Sequence, residues 1–227
     1  MIHEMPFELP LRAGLFRYEK DGQLTGALEQ WRVTRVAEGY RFWRVDLDAR
    51  AATSGQSTLY HLTLNEAEQP EQLKFRFWAA GQQANGLLSF NPAGITLTRT
   101  VNGQRFEEEA AGSAPFWFPT TVGLSLLARQ AATGVTSLTA VTLDAIPHQD
   151  AASLLALRQA QLTFQYGPEE ELAVRQESYV VRPLLITWDD QQRTLWVDRE
   201  NWPLQMRRQD GLCACETQYI RYGTGNS

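Results

Sequence analysis

Asn102-Gly103, set between two stretches in which apolar and polar residues alternate, is the tightest local constraint in this chain. Asn-Gly at such a place favours a two-residue turn with positive φ at both central positions, whose twist matches that of the flanking strands. Residues 94–101 and 104–109 are therefore expected to form a β-hairpin. The same punctuation recurs at Asp21-Gly22, Glu38-Gly39, Gly167-Pro168, Asp189-Asp190, Asn201-Trp202-Pro203 and Asp210-Gly211. Between these turns the period is two. Trp43, Val45 and Leu47 share one face of a segment whose other face carries Arg44, Asp46 and Asp48, and Leu73, Phe75 and Phe77 alternate with Lys74, Arg76 and Trp78.

This reading gives strands at 13–20, 24–36, 40–48, 57–64, 72–79, 94–101 and 104–109, an antiparallel meander. The pattern then breaks at Pro115-Phe116-Trp117-Phe118-Pro119, an aromatic stretch bracketed by prolines. Residues 120–132 read as a helix with Val122, Leu126 and Leu127 toward the core, and 150–160 as a second short helix with Asp150 as N-cap. Strands resume at 161–166, 172–179, 182–188, 193–197, 204–208 and 213–221. The expected fold is mainly β: an antiparallel, strongly curved sheet or open β-barrel with one or two short helices packed on its concave side. A chain of 227 residues fits one all-β domain. Residues 13–222 form that domain in this reading, with an N-terminal extension at 1–12 and a tail at 223–227.

A net charge of −5, from 26 acidic and 21 basic residues, argues against nucleic-acid binding, which needs a basic face. The N-terminal residues show neither a basic region nor an apolar run of the kind that directs export, and no stretch is apolar enough to span a membrane. A cytoplasmic location is expected. The two cysteines, Cys213 and Cys215, fall one residue apart on a strand, side by side on one face but poorly spaced for a disulfide. With the histidines scattered at His3, His61 and His148, the thiols read as structural, and no metal or cofactor is expected.

Two stretches carry a family resemblance. The opening Phe16-Arg17-Tyr18-Glu19-Lys20-Asp21-Gly22-Gln23-Leu24-Thr25-Gly26, followed by Gly39-Tyr40-Arg41-Phe42, resembles the start of a bacterial family of unknown function. The segment Leu195-Trp196-Val197-Asp198 and the following Pro203-Leu204 are similar to that family's closing hairpin, and the order of parts fits across about residues 14–222. The resemblance implies an incomplete, strongly curved β-barrel related in shape to the lipoprotein carriers LolA and LolB, whose concave face holds acyl chains. Those relatives are mostly exported, a point on which this chain departs.

Residue chemistry points away from catalysis. The chain has no G-x-S-x-G elbow, glycine-rich phosphate loop, H-E-x-x-H or EF-hand pattern. His61, within a strand, is the one histidine for which a hydrolase reading with a nearby carboxylate is weighed. Asp46 with Asp48, and Asp189 with Asp190, read as solvated or turn acids, as do Glu107-Glu108-Glu109 and Glu169-Glu170-Glu171. The aromatic content, 7 Trp, 7 Tyr and 10 Phe, stands out. Large aromatics fill a core, and they also line apolar pockets. In the second reading Trp43, Phe75, Phe77, Phe116, Trp117 and Phe118 form the wall of a site for a lipid-like small molecule, and the protein is a non-enzymatic binder. The alternative is a scaffold or homo-oligomer subunit that meets another chain through aromatic surface.

Overall fold

In the computed structural model, residues 4–112, 114–143 and 150–222 are described. The first eight strands form the expected meander: β1 (Leu9–Lys20), β2 (Gln23–Arg35), β3 (Arg41–Ala49), β4 (Gln56–Leu64), β5 (Pro70–Ala79), β6 (Gln82–Asn91), β7 (Gly94–Val101) and β8 (Gln104–Ala111). The one helix among the described residues, α1 (Ser125–Ala131), follows. The second half comprises β9 (Ser137–Leu143), β10 (Leu157–Tyr166), β11 (Glu170–Val174), β12 (Glu177–Trp188), β13 (Gln191–Val197), β14 (Pro203–Arg208) and β15 (Leu212–Arg221). All strand pairs are antiparallel, in the order β8-β7-β6-β5-β4-β3-β2-β1-β15-β14-β13-β12-β10-β9, with β11 beside the first half of β12. β1 joins the two halves by pairing with both β2 and β15.

The sheet curls into a nearly closed barrel with one seam, between β8 and β9. Side chains bridge it. Glu108 on β8 accepts the Leu157 N–H of β10 at 2.8 Å and pairs with Arg99 at 2.6 Å, while Arg99 also donates to the carbonyls of Ala151 and Ala152. Glu108 was expected to be solvated, and instead it is a tie across the seam, because its strand position faces inward with Phe106 and Ala110. The far side of β9 pairs in parallel with the crossover: Trp117 donates to the Val141 carbonyl at 3.1 Å, and Val141 donates to the Pro115 carbonyl at 2.8 Å.

From that pairing the crossover runs inside the barrel as a plug. Phe118, Val122 and Leu127 have no exposed surface, and Phe116, Trp117, Leu124 and Leu126 are buried with them. The plug folds back where Gly123 lies against Phe118; a Cβ there would sit 2.1 Å from the Phe118 carbonyl oxygen, so the turn requires glycine. Glu29, on the inward face of β2, holds the turn to the barrel wall. It accepts the N–H groups of Thr121 and Val122 at 2.8 and 2.7 Å and the hydroxyl of Tyr18, which also contacts the Thr121 hydroxyl at 2.8 Å. Where α1 leaves the barrel, Arg129 lies over the rings of Trp43 and Trp202, and Trp202 stacks on Trp31 at 5.2 Å.

Several local expectations are corrected. β1 begins at Leu9, four residues inside the expected extension, because Glu8 just before it is anchored to Arg44 and Thr34 on the outer face. The helix expected over 120–132 is confined to Ser125–Ala131, preceded by the turn that Glu29 holds. No helix forms at 150–160. Asp150 does cap a turn, accepting the Ala152 N–H at 3.0 Å, but Leu155 takes φ +57° and the chain passes into β10. Strands β6 and β9 were not anticipated, and the segments expected at 172–179 and 182–188 are β11 and one long β12, hinged at the Arg175 turn. Pro183 is tolerated inside β12 because it falls between the stretch paired with β10 and the stretch paired with β11, where no ladder N–H is needed.

Candidate functional site

The six aromatic residues expected to line a pocket do converge, but as packed core. Trp43, Phe75, Phe77, Phe116, Trp117 and Phe118 all belong to the main hydrophobic cluster, and none is more than 4% exposed. Phe116 meets Phe90 edge-on at 5.0 Å, Trp117 meets Trp188 at 6.0 Å, and Phe118 lies against Tyr60 at 5.0 Å. The space the sheet encloses at these residues is occupied by the chain's own crossover.

A concavity lies on the opposite, outward face of the same sheet, a groove of about 990 Å³ across β3 to β7. Strand register explains its lining. Since residues alternate across a sheet, the partners of the inward Phe75 and Phe77 are the outward Lys74, Arg76 and Trp78. One row across the strands reads Arg44, His61, Lys74, Leu87, Thr98, and the next reads Asp46, Leu59, Arg76, Asn85, Thr100. All but Asp46 line the groove, together with Trp78 and Gln83, and no acidic residue among those described does. Small groups on β6 and β7, at Asn85, Thr98 and Thr100, leave the trough, and the longer side chains of β4 and β5 form its wall. Lys74 and Arg76 are exposed and make no ion pair among the described residues, and Trp78 is 40% exposed.

Arg44 and His61 form the inner end. The Arg44 guanidinium grips Glu8 through two 2.7 Å hydrogen bonds and donates to Thr34 at 3.1 Å. Burial raises the Glu8 pKa, but the bonds from Arg44 and Thr34 outweigh it and hold this carboxyl below its ordinary value. His61 packs edge-on against Phe42 at 5.7 Å, and its Nε2 is enclosed without a hydrogen-bond partner. Burial, with the charges of Arg44 and Lys74 added, pushes its pKa down to about 4 against a smaller opposing effect of Glu8. His61 is therefore neutral at physiological pH. No carboxylate stands in the groove to pair with it.

The other acids expected to be solvated do not assemble into a catalytic pair. Asp48 is engaged by Arg50 at 2.6 and 2.9 Å, bonds that lower its pKa to about 2. Asp189 sits in the β12–β13 turn with φ +47° and pairs with Arg158 at 2.5 Å. Glu170 bonds the Trp196 indole, and Glu171 lies 3.4 Å from the Ser178 hydroxyl. His3 and His148 lie outside the described residues. A second concavity of about 560 Å³ lies beside Tyr166, Arg182, Asp198 and Asn201. Asp198 is committed there to the N–H groups of Glu200 and Trp202, the Tyr219 hydroxyl and Arg221.

On the outer face of β15 the two cysteine sulfurs lie 3.4 Å apart, both half-buried. The hydrogen bond from the Cys215 thiol, opposed by burial and aided by Gln205 and Arg207, brings Cys213 down to about 6, and the same contact with burial drives Cys215 far up.

No helix among the described residues is long and apolar enough to cross a membrane. Compared with known proteins, the chain matches no family model, no curated sequence and no solved structure.

Proposed function

We propose that this protein is a non-enzymatic binder of an amphipathic anion, a small molecule with an apolar body and a carboxylate or phosphate head, held in the outward groove of β3 to β7. The observation that carries the reading is the composition of that groove: Lys74 and Arg76 present unpaired positive charge, Leu59, Leu87 and Trp78 present apolar surface, and no acid lines it. Concave sites of this size, mostly apolar with a few placed polar groups, are where small ligands bind. Asn85, Gln83, Thr98 and Thr100 add hydrogen-bonding groups around the head. Within a chain of net charge −5, such a site favours anions locally while the rest of the surface repels them. His61, neutral and without a carboxylate or nucleophile at hand, shapes the inner end and does no chemistry.

The test uses the fluorescence of the chain during titration with dodecyl phosphate, dodecyltrimethylammonium and inorganic phosphate, with Trp78→Phe to assign the signal. Saturable binding of the anionic amphiphile, weakened at least about tenfold in Lys74→Ser/Arg76→Ser, is expected, since each lost charge contact is worth roughly 1.4 kcal/mol or more. Equal binding of the cationic amphiphile, or affinity unchanged in the double variant, overturns the reading.

A further inference from the structure

We propose that Cys213 and Cys215 form a two-coordinate site for a soft monovalent metal ion, Cu(I), on the outer face of the barrel. Residues i and i+2 of a strand share a face, and here the two sulfurs lean together to 3.4 Å on an accessible, half-buried surface. Both Cα atoms are fixed by ladders on either side: Cys213 pairs with Glu19 and Arg207, and Cys215 pairs with Arg17 and Gln205.

That fixed backbone separates the chemistries open to two thiols. Cα atoms two residues apart on a strand are about 6.6 Å apart, at the upper edge of disulfide geometry, and disulfide Cβ atoms must approach to roughly 3.5–4.5 Å. Closing a disulfide would pinch β15 between two intact ladders. A metal held linearly between two thiolates needs the sulfurs about 4.5 Å apart, taking a metal–sulfur length near 2.3 Å. The pair reaches that spacing by rotating the two side chains about 1 Å apart, with the strand undisturbed.

Ligand number selects the ion. Among the described residues no group of three or more His, Cys, Asp or Glu is placed to hold a metal, so a tetrahedral zinc site has no further ligands. Thiolates are soft ligands that select Cu(I), which is content with two. Binding displaces both thiol protons to solvent and leaves a bis-thiolate copper unit with one net negative charge. Arg207, opposite Cys213, and Arg17, opposite Cys215, stand beside it as counter-charges, against the like charge of Glu19, which also lies opposite Cys213. Gln205, whose amide already donates to the Cys213 sulfur at 3.3 Å, orients that ligand.

The experiment is anaerobic titration of the reduced full chain with Cu(I) buffered by a chromophoric chelator, with native mass spectrometry for stoichiometry and Ag(I) as a redox-inert probe of the same geometry. One metal per chain is expected, with thiolate-to-metal absorption in the ultraviolet. Cys213→Ser and Cys215→Ser should each abolish competition with the chelator while leaving the melting temperature unchanged, and Arg207→Ala should weaken binding by about tenfold as an outer partner. The proposal is overturned if either single-serine variant retains wild-type affinity, if one metal bridges two chains, or if the wild type fails to compete. Ready closure of an intramolecular disulfide by oxidised glutathione, without metal uptake in the reduced form, overturns it equally.

Discussion

Replacing Glu216 by glutamine should reverse the order of stability of wild type and variant between pH 5 and pH 9. Glu216 is a 5% exposed carboxyl on the inward side of β15. It accepts the Leu15 N–H at 2.6 Å, where the register between β1 and β15 shifts, and the Trp31 indole N–H at 3.2 Å. Burial pushes its pKa up to about 8 against these hydrogen bonds, with a further upward push from Glu29. The native state thus keeps a proton that the unfolded chain releases near 4.5. Stability from this group is complete below the unfolded value and is lost as pH rises toward the folded one. Across the interval from 4.5 to about 8, at 1.36 kcal/mol per pH unit, the loss approaches roughly 5 kcal/mol. Glutamine cannot ionise and keeps a carbonyl for Leu15, but its amide meets the Trp31 donor poorly, a cost of about 1 kcal/mol. The variant is therefore less stable at pH 5 and more stable at pH 9. Urea unfolding followed by tryptophan fluorescence at pH 5, 7 and 9 measures the difference, and parallel pH profiles for the two proteins would refute a neutral buried Glu216.

Two further substitutions test the interior. The Tyr60 hydroxyl is enclosed with no hydrogen-bond partner, so Tyr60→Phe should stabilise the fold by about 1 kcal/mol, read as a higher urea midpoint at unchanged slope; a lower midpoint would mean that the hydroxyl is satisfied. Trp117→Ala removes a 2% exposed plug ring from its contact with Trp188 and should cost about 3–5 kcal/mol, and a melting temperature within a degree or two of wild type would show that the plug is not part of the cooperative core.

The antiparallel meander was legible because turn dipeptides and a period of two report directly on strands with one face buried. Strand β6 escaped because its inward face carries Ala84, Gly86 and Leu88, of which Gly86 must stay small: a Cβ there would lie 2.4 Å from the Phe75 ring. Strand β9 escaped for the opposite reason, since Ala140 through Leu143 are buried without alternation between β10 and the crossover. The helix misread at 150–160 shows how an N-cap and a leucine stripe can serve a buried turn. Glu29 shares the inward face of β2 with Trp31 and Val33, so a carboxylate on an apolar face was a readable sign of an internal tie. The groove was the hardest part to read. Its wall is the polar half of β5, and only the outward Trp78 among cations marks that face as more than solvated surface.

Where the protein can hold a ligand follows from what the barrel already contains. Displacing the plug would return Phe116, Trp117, Phe118, Val122, Leu126 and Leu127 to water. At about 1.5–3 kcal/mol for each buried side chain, that exposure costs on the order of 9–18 kcal/mol before the Glu29 hydrogen bonds are lost. A micromolar ligand supplies about 8 kcal/mol in all. An acyl-sized guest therefore cannot exchange for the plug at ordinary affinity, and the same aromatic residues that make the interior look like a pocket in the sequence are what close it. The outward groove requires no such displacement: Lys74 and Arg76 make no ion pair among the described residues, its apolar floor is already exposed, and occupation there removes apolar surface from water without opening the core. The curved sheet acts as a support whose filled inside fixes the placement of Lys74, Arg76 and Trp78 outside, because Phe75 and Phe77 between them are packed into the core.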